Sequence, residues 1–389
     1  MNISEKAGNV AGSETLAISS KAKELKNKGF SVINLSVGEP DFDTPDYIKE
    51  AIIKALKDGK TKYTDASSII ELREAISEKL KKENGLFYSP SQIIVSSGAK
   101  HSITNILFSL CNPGDGVIIP SPYWVSYVEM VKFAGGIPII VKTTKGDGFK
   151  VSTEMLKNAI VENVKGIILN SPSNPTGAVY TEKELLEITG IIKENNLWVI
   201  SDEVYEKFVY DGLLHKSIAQ FIPENTIVIN GFSKTYAMTG LRIGYAAGPI
   251  DVIKAAARIQ SQTTSNPCSI IQYGALSAMT SSNDFVSNMV SEFEKRRNLI
   301  VSSLNQINGM DCPMPEGAFY AFCDVSGVFN EKIKGSSSLA EFLINEAKVA
   351  LVPGAAFGDD NYIRLSYANS SFDIEEGVSR IKEAVSHLV

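Results

Sequence analysis

Histidine is nearly absent from this chain, which carries only His101, His215 and His387. That scarcity argues against a multi-histidine metal centre and leaves few ways to assemble a His-based triad. Cysteine is almost as rare. Cys111, Cys268, Cys312 and Cys323 form no C-x-x-C pair and are too sparse for a disulfide scaffold, so free thiols are expected. Positive charge is not in excess either. Lys+Arg 38 against Asp+Glu 44 gives a net charge of −6, which removes the electrostatic footprint of a nucleic-acid binder. No uninterrupted apolar run approaches the length of a membrane span. The opening Met1-Asn2-Ile3-Ser4-Glu5-Lys6 lacks the apolar core of a signal peptide. These absences lead to the expectation of a soluble, cytoplasmic protein with no metal, nucleic-acid or membrane partner.

What is present is enough for a sizeable core. The chain has 389 residues, 44% hydrophobic and 21% charged. Area scaling predicts roughly 15,000 Å² exposed when folded against about 61,000 Å² unfolded. No internal repeat or low-complexity segment interrupts it. Residues 14–28 are amphipathic and read as a helical arm. From about residue 92, short apolar runs alternate with helical patterns. Ile93–Val95, Val117–Ile119, Gly166–Leu169, Leu197–Ile200, Ile227–Ile229 and Ile243–Ala247 read as strands. Ala99–Leu110, 152–163 and 182–194 read as helices. This rhythm predicts an α/β core with a mainly parallel sheet. Helical stretches at 250–262 and 282–307 follow. The pattern then shifts to strands at Phe319–Val325, Val349–Val352 and Tyr362–Tyr367, with helices at 337–347 and 373–388. A smaller α+β domain is expected there, joined by the N-terminal strand at 32–36.

Chemistry in a parallel α/β sheet gathers at the C-terminal ends of its strands. Those ends supply Ser97-Gly98-Ala99-Lys100, Pro122-Tyr123-Trp124, Asn170–Pro175, Ser201-Asp202-Glu203-Val204-Tyr205 and Gly231-Phe232-Ser233-Lys234. Lys234 follows a buried strand. An amine held in low dielectric loses its proton more easily and becomes a nucleophile toward an aldehyde. Taken alone, Lys234 reads more readily as a surface lysine in a turn.

The wider pattern narrows the choice. Gly231-Phe232-Ser233-Lys234-Thr235-Tyr236-Ala237-Met238-Thr239-Gly240-Leu241-Arg242-Ile243-Gly244 resembles the pyridoxal-phosphate attachment signature of class I aminotransferases. Val37–Phe42, Ser171–Gly177, Ser201–Tyr205 and Arg364-Leu365-Ser366-Tyr367-Ala368 resemble that family's other motifs, in its order and spacing. The resemblance spans essentially the whole chain and is closest to bacterial aspartate aminotransferases.

It implies a fold-type I transferase with three parts. These are an arm over 1–30, a large cofactor domain over 48–288, and a small substrate-closing domain from 31–47 and 289–389. It also implies roles. Lys234 attaches pyridoxal 5′-phosphate covalently and then moves the proton at the substrate α-carbon. Asp202 faces the pyridine nitrogen. At about 4 Å and an effective dielectric of about 20, such a pair is worth about 4 kcal/mol, enough to keep the nitrogen protonated. Tyr205 and Asn174 bond the phenolic oxygen, and Trp124, rather than Tyr123, stacks on the ring. Gly98, Ala99 and Lys100 open a helix whose N–H groups hold the phosphate, with Ser233 and Arg242 completing the cup. Gly231 stands where the pattern often has a serine, so one hydroxyl contact is missing.

For substrate, the resemblance implies that Arg364 forks the α-carboxylate, with Gly38, Trp124 and Asn174 beside it. Tyr63 would reach the neighbouring subunit's phosphate site in a homodimer. Gln260–Pro267 contains no arginine for a second carboxylate, and Lys100 is the expected substitute. The expected reaction is transfer of the amino group of L-aspartate to 2-oxoglutarate by a ping-pong cycle. Alanine, aromatic and prephenate-type donors stay open, as does a β-lyase on the same fold. Two other classes fit less well. A serine hydrolase built on Ser233 lacks the final glycine of a nucleophile elbow and has no convincing histidine. An aminotransferase-like sensor in a transcription regulator would need a DNA-binding domain.

Overall fold

The computed structural model describes residues 14–281 and 284–388, together with Ile3, Ser4, Gly8, Val10 and Gly12. Residues 1, 2, 5–7, 9, 11 and 13 of the expected arm lie outside the described residues, as do 282–283 of the helix expected over 282–307 and the terminal Val389.

The strands are β1 (Ile33–Asn34), β2 (Ile93–Ser96), β3 (Gly116–Ser121), β4 (Ile137–Lys142), β5 (Val164–Asn170), β6 (Trp198–Asp202), β7 (Thr226–Gly231), β8 (Gly244–Ala247), β9 (Tyr320–Asp324), β10 (Val349–Ala350), β11 (Val352–Pro353) and β12 (Tyr362–Ser366). Seven of them form the central sheet in the order β2-β8-β7-β6-β5-β3-β4. The run from β7 to β4 is parallel, and β8 is antiparallel to both its neighbours. The parallel strands are covered on both faces, which is why Ile167-Ile168-Leu169 and Ile227-Val228-Ile229 are continuously apolar and buried.

The register brings the chemistry together. Asn170 at the end of β5 lies opposite Asp202 at the end of β6, and Gly231 at the end of β7 lies opposite Gly244 at the start of β8. Because β8 runs the other way, the residues just before it, including Arg242, share the edge where the parallel strands end.

Sequence reading missed β4, whose partly exposed face and Pro138 suit an edge strand. It also missed the helices Asp46–Lys57, Ile70–Asn84 and Ser269–Thr280. The first and last of these lie close together: a Cβ on Gly274 would come 2.5 Å from Ile52. The helix expected over 152–163 stops at Ala159. The helix Glu182–Glu194 begins where expected, on a capping box between Thr181 and Glu184.

Beyond residue 284 the chain builds a separate layer. β12 is flanked antiparallel by β11 and β9, while β1 pairs in parallel with β10. The single strand expected over Val349–Val352 is therefore two strands in two sheets. Leu35, Phe293, Leu304, Phe319, Leu339, Leu365 and Ile374 share one core there. The helix Glu14–Asn27 buries Ala22 and Leu25 against Val32, Ile344 and Ala350 of the same layer. The four cysteines are free. Among the described residues, no helix is long and apolar enough to cross a membrane.

Candidate active site

A cavity of about 280 Å³ opens at the C-terminal edge of the central sheet, against the small layer. It brings together Gly38, Ala99, Lys100, Trp124, Asn174, Asp202, Tyr205, Ser233, Lys234, Arg242 and Arg364. Gly98 adjoins it as the residue before Ala99. Tyr63 lies outside it and is 90% exposed.

Lys234 follows β7 and points at the loop after β1, donating from Nζ to the Gly38 carbonyl at 2.6 Å. Desolvation lowers its amine from the usual lysine value to about 8, although Glu39 acts in the opposite direction. Asp202 is buried. Burial pushes its carboxyl up to about 6, even though Tyr127 Oη donates to it at 2.6 Å and the Val204 N–H at 3.3 Å. A carboxylate so placed is short of positive charge and suits a cationic nitrogen.

Arg364 on β12 is buried as well. It donates from Nη1 to Asn174 Oδ1 at 3.0 Å and from Nη2 to the Ser36 carbonyl at 2.7 Å, while among the described residues Nε has no partner. Both acceptors are neutral, so the guanidinium is a buried cation without a countercharge, and burial lowers its pKa. Such a group is costly alone and favours an anion. Because arginine only donates, Asn174 must turn its oxygen toward Arg364, which leaves Nδ2 as its free donor. Tyr205 Oη lies 2.8 Å from Tyr320 Oη.

The start of the helix Ala99–Leu110 has no side-chain cap. Gly98 sits at φ 91, and a Cβ there would overlap Arg242 Nη2. A Cβ on Gly244 would overlap the Ala99 nitrogen. Bare backbone, an unshared helix N-terminus and the Arg242 guanidinium thus converge beside Ser233. This is the donor set that a phosphate monoester needs. With an amine, a carboxylate awaiting a cation and an anion cradle in one cavity, the residues fit a pyridine-aldehyde phosphate.

Trp124 faces this cavity with its ring 5.3 Å from that of Tyr127. Tyr123 instead lines a small neighbouring void and packs on Gly358. Lys100 Nζ lies 4.9 Å from the Trp124 ring centroid. Burial, aided by Arg242, lowers its pKa. Among the described residues, no histidine lines the cavity. His215 bonds Glu203 at 3.0 Å, in a buried cluster where Lys79 pairs with Glu206. The sequence reading gives no role to Thr15, Tyr127, Asn170 and Tyr320, which also line the cavity.

A model of the aminotransferase class I and II family matches residues 31–381. The chain belongs to this family. It is 49% identical to the probable aspartate/prephenate aminotransferase of Aquifex aeolicus, over 99% of this chain and 99% of that one. It is 46% identical to the aspartate aminotransferase of Bacillus subtilis, again over 99% of each. The Thermus thermophilus aspartate aminotransferase with maleate superposes with a TM-score of 0.95 at 40% identity, covering 99% of this chain and 100% of that one. The fold is the fold-type I α/β architecture of these enzymes. As an aminotransferase of this family, the protein is a pyridoxal-phosphate-dependent transaminase acting on amino acids and 2-oxo acids.

Proposed function

We propose that this aminotransferase moves the amino group of L-aspartate to 2-oxoglutarate, giving oxaloacetate and L-glutamate in two half-reactions at one site. The observation that carries the reading is a cavity with two cations beyond those committed to cofactor chemistry. Arg364 is a buried guanidinium lacking an anion, and Lys100 is a partly desolvated ammonium lining the same space. A dicarboxylate amino acid satisfies both. Maleate, named with the Thermus thermophilus structure, is itself a four-carbon dicarboxylate.

When bound, the cofactor supplies the electron sink for the α-carbon. The chain's residues do the rest. Lys234 would hold the cofactor covalently, and its neutral amine would take and return the α-proton. Asp202 holds the ring nitrogen protonated by charge. Tyr205 and the free Nδ2 of Asn174 donate to the phenolic oxygen. Trp124 covers the ring face. Gly98, Ala99, Lys100 N–H, Ser233 and Arg242 grip the phosphate. Arg364 orients the α-carboxylate, and Gly38 lies beside it to close the site and exclude water.

The same reading divides the chain into an arm at 1–30, a large domain at 48–288 and a closing domain at 31–47 with 289–389. It places the enzyme in the cytoplasm as a homodimer with Tyr63 donated across the interface. A donor screen with 2-oxoglutarate tests it. Aspartate should exceed alanine and phenylalanine in kcat/KM by at least about tenfold, a difference of about 1.4 kcal/mol. A preference for a neutral donor would overturn the acidic-substrate reading. Names of relatives that pair aspartate with prephenate favour one second reading, so prephenate belongs in the same screen as an acceptor.

A further inference from the structure

One buried residue at the centre of the cavity has no task in this scheme. Tyr320 on β9 is 1% exposed and touches three parts of the site. Its hydroxyl lies 2.8 Å from Tyr205 Oη. The Arg364 guanidinium sits over its ring, 4.4 Å from the centroid. Its hydroxyl also presses on Gly38, where any Cβ would overlap it, and the Gly38 carbonyl is the acceptor for Lys234. We propose that Tyr320 is a positioning residue: it donates its hydroxyl proton to Tyr205, so that Tyr205 aims its own proton at the cofactor's phenolic oxygen. The inference rests on the proposed placement of the cofactor against Tyr205.

A phenol has one proton to give. If Tyr205 gave its proton to Tyr320, it would have none for the cofactor. Either oxygen could donate across this contact; the guanidinium directly over the Tyr320 ring favours Tyr320, because a nearby positive charge makes a phenol more acidic and so the stronger donor. Among the described residues, Tyr205 is the hydrogen-bond partner of the Tyr320 hydroxyl. One ring therefore couples the carboxylate-binding arginine, the closing glycine and the tyrosine that tunes the cofactor.

The readout is the pH at which the Lys234-bound cofactor changes its absorbance. A donor on the phenolic oxygen stabilises its negative charge. It thereby competes with the proton on the attached nitrogen and lowers that pH. Arg364 and Asp202 act by charge on Tyr205, Arg364 and Glu39 on Tyr320, and Glu39, Arg242, Arg364 and Asp202 on Lys234; all remain in the variants below.

In the loaded enzyme, Tyr320→Phe should raise the transition by about half to one pH unit, the equivalent of one modest hydrogen bond. Tyr205→Phe should raise it further, and the double variant should match Tyr205→Phe alone, because Tyr320 acts only through Tyr205. An unmoved transition in Tyr320→Phe, or a double variant in which the two shifts add, would overturn the proposal. A lowered melting temperature of the cofactor-free Tyr320→Phe protein with no change in the transition would reduce Tyr320 to a packing residue. If Tyr205→Phe itself moves nothing, the proposal also fails, but through the cofactor placement on which it rests.

Discussion

At the scale of single residues, the site is defined by charges that burial has made expensive. Lys234 titrates near 8 because the folded chain strips water from its amine. The sign of the consequence is fixed. An unfolded lysine keeps its proton to about 10.4, so the unfolded chain binds more protons between about 8 and that value. This group's contribution to the stability of the cofactor-free protein therefore rises with pH across that window. Reactivity follows the neutral amine. Covalent uptake of the cofactor aldehyde should quicken about tenfold per pH unit below 8 and level off above it. A stopped-flow rate still climbing at pH about 10 would mark an ordinary lysine. Lys234→Ala should retain only reversible cofactor and lose transamination by several orders of magnitude, and borohydride reduction of the wild type should label the Lys234 peptide. Lys100 makes the sharper test. Cations are not favoured at a helix N-terminus, yet this one is held over Trp124 inside the cavity. Lys100→Ala should lower kcat/KM for aspartate about ten- to a thousandfold. Alanine or an aromatic donor should lose much less. Equal losses would mean that Lys100 acts through the cofactor.

At the scale of elements, the phosphate cradle depends on how closely β8 approaches the helix Ala99–Leu110. Gly98 and Gly244 make that approach possible, since a side chain on either would collide with Arg242 or the Ala99 nitrogen. Gly98→Ala should weaken cofactor binding by about tenfold or more, through strain at positive φ and displacement of the Arg242 fork. Gly29 is a control: it has the same φ of 91 with no described neighbour within 4 Å of an added Cβ. Gly29→Ala should cost stability alone. Equal cofactor dissociation constants for the two variants would show that the cradle plays no part. The elements legible in the sequence were those with strong periodicity, above all the buried parallel strands. β4 escaped because its exposed edge carries no clean alternation. The helices Asp46–Lys57 and Ser269–Thr280 escaped because they lie outside the strand–helix rhythm that guided the reading. The split of Val349–Val352 into β10 and β11 depends on two different partners, and no local pattern records partners.

At the scale of the whole molecule, the described surface leaves Tyr63 90% exposed, with Ile53, Leu56 and Ile70 also exposed nearby in sequence. Isolated apolar residues at a surface are ordinary. An aromatic that belongs to a neighbour's phosphate site, however, would need to stand clear of its own subunit. Tyr63→Phe should raise the cofactor dissociation constant about ten- to a hundredfold, the loss of one charge-assisted hydrogen bond, without lowering the melting temperature of the cofactor-free protein. Sedimentation provides the complementary check: a fully active monomer would end the shared-site reading.

The chain's own order of residues determined the α/β class and carried the family resemblance, and with it the expected roles of Lys234, Asp202, Asn174, Arg242 and Arg364, because those side chains sit at fixed offsets within local motifs. Each motif is a strand end or a helix start and is read locally, but the resemblance of the motifs taken together, not composition or spacing, singled these residues out. The tertiary structure alone decided which neutral partners leave Arg364 hungry for an anion and that Asn174 spends its oxygen and keeps its donor. It alone brought Tyr127 against Asp202 and Tyr320 against Tyr205, residues 75 and 115 positions apart. Desolvation, and the pairing that answers it, arise from groups distant in sequence that meet only when the sheet closes on its second layer.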